Sequence, residues 1–198
     1  MAKVVIVVAA YVAAQMLADI GSLKIITLFG LAMDAGTFVY PITFTLRDLV
    51  HKTIGIKGAR ILIVSAAVVN LFMAFYFWVV ARMTGDASVG PQAEFSFVLS
   101  PVWRIVVASI LAEVLSEMID TEAYRLWTER VTKRYQWARV LVSNSVSVPL
   151  DSLVFSFVAF FGVLPVSVVW GIVLANMIVK GATTLIGLPL IYAVPEKA

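Results

Sequence analysis

Six stretches of roughly 20 residues each, at 3–22, 26–47, 58–82, 101–121, 139–163 and 166–193, run through this 198-residue chain with few charges. A helix of that length rises about 30 Å and matches the hydrocarbon layer of a bilayer. A soluble domain is about half apolar and about a quarter charged. This chain is 62% hydrophobic and 14% charged, with mean hydropathy +0.99. The expectation is an all-α, polytopic membrane protein of six transmembrane helices, one domain over residues 1–198. The second stretch is the least regular, because it carries Asp34, Gly36 and Pro41. Proline breaks soluble helices, but membrane helices tolerate it where neighbours satisfy the freed carbonyl.

Basic residues give an orientation. Arg47, Lys52, Lys57 and Arg60 follow the second stretch, and Arg125, Arg130, Lys133, Arg134 and Arg139 follow the fourth. With Lys3 and Lys197 they fall on one side, against Lys24 and Arg82 on the other. The positive-inside rule then puts both termini in the cytoplasm and the chain in the inner cell membrane. Residues 83–98 become an external loop. The net charge of +3 is read as loops facing anionic lipid, with no nucleic-acid partner. The first stretch follows a lone lysine, lacks a small-residue cleavage pattern, and is expected to remain as a span.

Several polar groups do not suit lipid. An ionised side chain at mid-bilayer costs about 2.5–3.5 kcal/mol. The fourth stretch carries Arg104, Glu113, Glu117 and Asp120. Facing lipid together, such groups would cost on the order of 10 kcal/mol, comparable with a domain's whole stability. Ser109, Glu113, Ser116 or Glu117, and Asp120 fall on one helical face. The alternative is that Arg104 pairs with another span and Asp120 lies at the interface. Ser143, Ser147 and Asp151, beside Pro149, repeat the pattern in the fifth stretch. Asn176, Lys180 and Thr184 do so in the sixth, and Asp34, Phe38, Pro41, Thr45 and Asp48 in the second. Four polar stripes turned toward a shared cavity would make a solute site, where Lys180 or Arg104 offsets the carboxylates.

Enzymatic chemistry is the weaker class. His51 is the one histidine, and there is no cysteine, HExxH, Gly-x-Ser-x-Gly or Walker loop. No cofactor or metal is expected, and the chain has no motif for hydrolysing ATP itself.

These residues resemble the queuosine-precursor transporters, also called the vitamin-uptake-transporter family. The resemblance runs from about residue 36 to 193. It is carried first by Phe38, Pro41, Phe44, Asp48, Gly55, Ala59 and Arg60, then by Arg104, Ala108, Ser109, Ala112 and Asp120. Arg139, Ser143, Ser147, Asp151, Ser152 and Phe155 follow, and then Lys180, Pro189 and Tyr192. His51 and Lys52 stand where many members carry an acid. The resemblance implies uptake of 7-deazaguanines, namely the cyano or aminomethyl precursor or queuine. It also implies a fold like the six-helix substrate-binding subunits of energy-coupling-factor transporters.

The residue chemistry suits such a ligand. A deazaguanine offers flat faces for aromatic stacking, with Phe38, Tyr40, Phe44, Phe155 and Trp170 as candidates. Its N–H and NH2 edge suits Glu113 or Glu117, and its carbonyl suits a donor such as Lys180 or Asn176. Asp48 and Asp151 would line the site or its cytoplasmic gate. The expected binding set is therefore Phe38, Phe44, Asp48, Arg104, Glu113, Glu117, Ser147, Asp151, Asn176 and Lys180. Two rivals stay open: a substrate-binding subunit needing a separate ATPase module, and a membrane-embedded enzyme or scaffold. Ala9, Ala10, Ala13, Ala14 and Ala18 offer a small-residue face for docking such a partner or for a homodimer.

Overall fold

The computed structural model describes residues 2–131 and 136–192. The side chains of 2, 3, 41, 44, 45, 47–56, 59, 87, 117, 120, 121, 124, 125, 128, 136, 139, 140 and 187–192 lie outside the described set.

Helix α1, Ala2–Gly21, is followed by two paired strands, β1 (Ile25–Leu28) and β2 (Leu31–Asp34), and a 3-10 turn, Ala35–Phe38. Helix α2 then runs unbroken over Tyr40–Val80. This departs from the expected single span over 26–47 and from the expected loop between residues 47 and 58. The local chemistry explains the difference. Ile25, Ile26 and Thr27 are β-branched and favour a pleated surface. Phe29 and Gly30 both take positive φ, 51° and 80°, as a two-residue hairpin turn of the I′ kind requires. Pro41 sits in the first turn of α2, where its missing N–H costs nothing. It starts a helix instead of kinking one, and the stripe expected from Asp34 to Asp48 is divided among strand, 3-10 turn and helix.

Beyond α2, Asp86 accepts a hydrogen bond from the Ser88 backbone N–H at 2.8 Å. That bond holds its carboxyl below the usual range. The expected external loop, 83–98, contains helix α3, Ala93–Leu99. Helix α4 spans Val102–Arg130, α5 Gln136–Phe160 and α6 Val166–Tyr192. Gly162, at φ +79°, turns the chain between α5 and α6.

Among the described residues, five segments are long and apolar enough to cross a membrane: Val4–Gly21, Arg60–Val80, Ala93–Ser116, Leu141–Phe160 and Val166–Ile186. Their outward faces fit that reading. On α2, Ile61, Val64, Val68, Phe72 and Phe75 are exposed at helical spacing, while Leu62, Ala66, Asn70 and Met73 are buried on another face. On α6, Trp170, Leu174, Ile178 and Leu185 face out, and Val169, Ile172, Val173, Asn176 and Lys180 face in. A soluble helix would put its polar residues on the outward stripe. Lipid takes an apolar one.

The chain divides into two units, residues 1–27 with 34–109, and residues 28–33 with 110–198. In the first, Tyr11 of α1 packs with Leu62 and Ala66 of α2. Gly36 lets the 3-10 turn approach the end of α1. A Cβ there would collide with the Ser22 hydroxyl and the Ala18 carbonyl oxygen. Ala14 and Ala18 are buried within the chain, so part of the alanine face expected to dock a partner is occupied internally. In the second unit, α5 packs along α6, and Ser152 and Ser156 are 0% exposed. Small buried residues on α5 allow a neighbouring element to approach closely.

Gly36→Ala should lower stability by about 1–3 kcal/mol, because a well-packed contact must open for the new methyl. Gly181→Ala, where a Cβ meets nothing within 4 Å, should leave it unchanged. Thermal unfolding of the detergent-solubilised protein measures both.

Candidate functional site

In the second unit α5 and α6 bring two charges together. Asp151 and Lys180 are both 8% exposed at the side chain and form an ion pair, with the Lys180 Nζ donating to Asp151 Oδ2. The sequence explains the placement. Ser143, Ser147, Asp151 and Phe155 recur every four residues along α5 and are all buried. Asn176 and Lys180 stand four apart on the buried face of α6. Helices α5 and α6, joined by a short turn, can therefore meet along these rows.

Helix α4 contributes a third group. The Ser116 hydroxyl lies 3.3 Å from Asp151 Oδ1 and 3.1 Å from the Glu113 backbone carbonyl oxygen. Its single proton serves one of them at a time. With Lys180 on one oxygen and Ser116 beside the other, both carboxylate oxygens have a partner. One turn from that hydroxyl, Glu113 is half-buried. Asn144 Nδ2 reaches Thr184 Oγ1 at 3.5 Å, a second polar link between α5 and α6. Ser147 and Asn176 are buried on the same helices. At one end of the α5–α6 pair, Phe157 meets Trp170 edge-on with ring centroids 5.2 Å apart, and Phe155 meets Phe160 at 5.9 Å.

The remaining expected residues are placed elsewhere. Phe38, in the first unit, is 54% exposed at the end of the 3-10 turn, and Arg104 is half-buried near the start of α4. The side chains of Phe44, Asp48 and Glu117 lie outside the described residues. Asp34, the last residue of β2, is buried and accepts from Ser22 Oγ (2.8 Å), Thr37 Oγ1 (2.9 Å) and the Thr37 N–H (3.1 Å). It caps the 3-10 turn and ties it to the end of α1. Asp19, outside the expected site, is 2% exposed and takes a 2.8 Å hydrogen bond from Ser109 of α4. A signal for it existed, since it is the one charge within Val4–Gly21.

The relatives accord with a transport role. A model of the family described as "Putative vitamin uptake transporter" matches residues 34–194. This chain belongs to that family. The transporter is also 28% identical over 182 residues to the "Probable queuosine precursor transporter" of Bacillus subtilis (strain 168). That alignment covers 91% of this chain and 79% of the relative. No solved structure matches the transporter.

A buried pair is fragile to the loss of one partner. Lys180→Met in the transporter should cost about 3–5 kcal/mol, because it strands a buried carboxylate. Lys180→Met combined with Asp151→Leu should recover most of that loss. A double-mutant cycle in thermal unfolding reads the coupling directly.

Proposed function

We propose that this transporter takes up queuosine precursors, 7-deazaguanines such as the cyano or aminomethyl base or queuine, across the cell membrane into the cytoplasm. The observation that carries the reading is the buried Asp151–Lys180 pair with Ser116 beside it. The named relative supports the substrate class. The N–H and NH2 edge of a deazaguanine is a planar double donor, and a carboxylate accepts such an edge as a fork. Asp151 is held by one cation. A ligand presenting that edge can take Lys180's place on the carboxylate, and the freed ammonium can donate to the ligand's carbonyl. The Asp151 carboxylate and the Lys180 ammonium each keep a partner before and after the exchange, so loading need not leave a bare charge in the bilayer. Glu113 would give a second acceptor for the cationic aminomethyl form, and Asn176 a second donor, each by exchanging a partner it now has.

For the membrane frame, the basic residues favour an orientation with Arg47, Lys52, Lys57, Arg60, Arg125, Arg130, Lys133, Arg134 and Arg139 in the cytoplasm together with both termini, and Lys24 and Arg82 outside. Ala32 of the hairpin packs against Gly171 near the start of α6, which suits a hairpin on the same side as that helix start. Reporter fusions at each end give the test. Both should fluoresce as cytoplasmic proteins, and fluorescence from the C-terminal one alone would overturn this orientation.

For the site, proteoliposomes containing the purified chain should bind and take up labelled 7-cyano-7-deazaguanine. Lys180→Met and Asp151→Asn should each weaken binding at least tenfold, about 1.4 kcal/mol. Glu113→Gln should weaken the aminomethyl base more than the cyano base. Unchanged affinity in all three variants would reject this site. Uptake by the chain alone would also remove the reading in which a separate ATPase module is needed.

A further inference from the structure

Three buried aspartates in the described residues have different surroundings. Asp34 accepts three hydrogen bonds, and Asp151 is paired with a lysine. Asp19 has neither. Ser109 donates to its Oδ1, and Oδ2 is buried without a partner. It sits within the apolar segment Val4–Gly21. An ionised carboxylate with one empty oxygen in such surroundings is strongly disfavoured. A metal ion would need more ligands than one carboxylate and one hydroxyl. A proton needs one lone pair, and a proton on Oδ2 removes the charge while Ser109 keeps its bond to Oδ1.

We propose that Asp19 is a proton-binding site of this transporter, loaded at Oδ2 in the conformation described here and exchanging its proton with water during the transport cycle. The step is acid–base only. Hydronium gives a proton to Oδ2, an O–H bond forms, and water leaves; deprotonation on the opposite face reverses it. The coupling role rests on the carrier reading above, whereas the proton site does not.

The charged and titratable groups on the packed elements are accounted for. Segment Val4–Gly21 of α1 holds no other charge, and its Tyr11 hydroxyl accepts from Gln15 at 3.0 Å. Asp34, next to the 3-10 turn, is held by Ser22 and Thr37. On α2, Lys57 and Arg60 are exposed, Tyr76 is 55% exposed, and the side chains of Arg47, Asp48, His51 and Lys52 lie outside the described residues. On α4, Arg104 is five positions before Ser109, roughly 140° around the helix at 3.6 residues per turn. Glu113 is one turn beyond Ser109. Lys24, just beyond the end of α1, is exposed, so no buried cation among the described residues of these elements compensates Asp19.

Dicyclohexylcarbodiimide, which adds to protonated carboxyls in apolar surroundings, tests the site without any transport. Peptide mass analysis should find the acylurea on Asp19, and labelling should fall roughly tenfold per pH unit once the group ionises. Asp151, paired with Lys180, should label far less. An Asp19 that stays unlabelled from about pH 5 to 9, or labels equally throughout, overturns the proposal. The coupling arm compares 7-cyano-7-deazaguanine uptake with and without an imposed proton gradient. The gradient should raise the initial rate several-fold in the wild type and leave it unchanged in Asp19→Asn, which retains gradient-free exchange. Should Asp19→Asn not fold, Asp19→Glu replaces it and should keep the gradient response. A labelled Asp19 with identical rates in the wild type removes the coupling role. Absence of uptake under every condition instead counts against the carrier reading.

Discussion

In a hydrocarbon layer no water is at hand, so every polar group a span carries must find its partner within the protein. This constraint sorts the transporter's polar residues. Asp34 collects three donors from the turn it caps, and that turn is thereby fixed to the end of α1. Asp151 collects Lys180, which locks α5 to α6 in one register. Asp19 collects Ser109, which links α1 to the start of α4. The apolar outward faces of the helices supply no specificity of this kind, because lipid accepts any hydrocarbon equally.

The buried polar rows of α5 and α6 were legible in the sequence because their spacing does not depend on anything distant. Ser143, Ser147, Asp151 and Phe155 must share a face in any α-helix, and so must Asn176 and Lys180. That Asp151 meets Lys180, and not Arg104, depends on how α5 and α6 register, which spacing cannot give. Asp19 escaped because a charge two residues from the end of an apolar run reads as an interfacial group. Only the packing of α1 against the 3-10 turn and α2, with Ser109 of α4 bonded to it, buries it.

The segment from 26 to 47 was misjudged for a different reason. Hydropathy measures how apolar a stretch is and is blind to its backbone conformation. The local signals were present: three β-branched residues, an aromatic-glycine turn, an aspartate able to cap, and a proline suited to a helix start. Each is weak alone. Together they divide one apolar run into hairpin, turn and helix, and the proline expected inside a span becomes the second residue of α2.

A buried ion pair is poor value as a device for stability alone, since two apolar residues of similar volume would hold α5 and α6 together as well or better. The pair makes sense where its breaking is part of the work. Lys180 and Asp151 satisfy each other when nothing else is present, and a ligand with donors on one edge and an acceptor beside them can satisfy both at once. In the proposed exchange the resting and loaded states differ little in uncompensated charge, so that a polar solute could enter and leave without being trapped. The same logic separates the two acidic groups. A carboxylate matched to a fixed cation is suited to exchanging partners, whereas one buried with an empty oxygen is suited to exchanging a proton. A carrier built as proposed has use for both, because solute binding and charge neutralisation would fall to different residues and each could change without undoing the other.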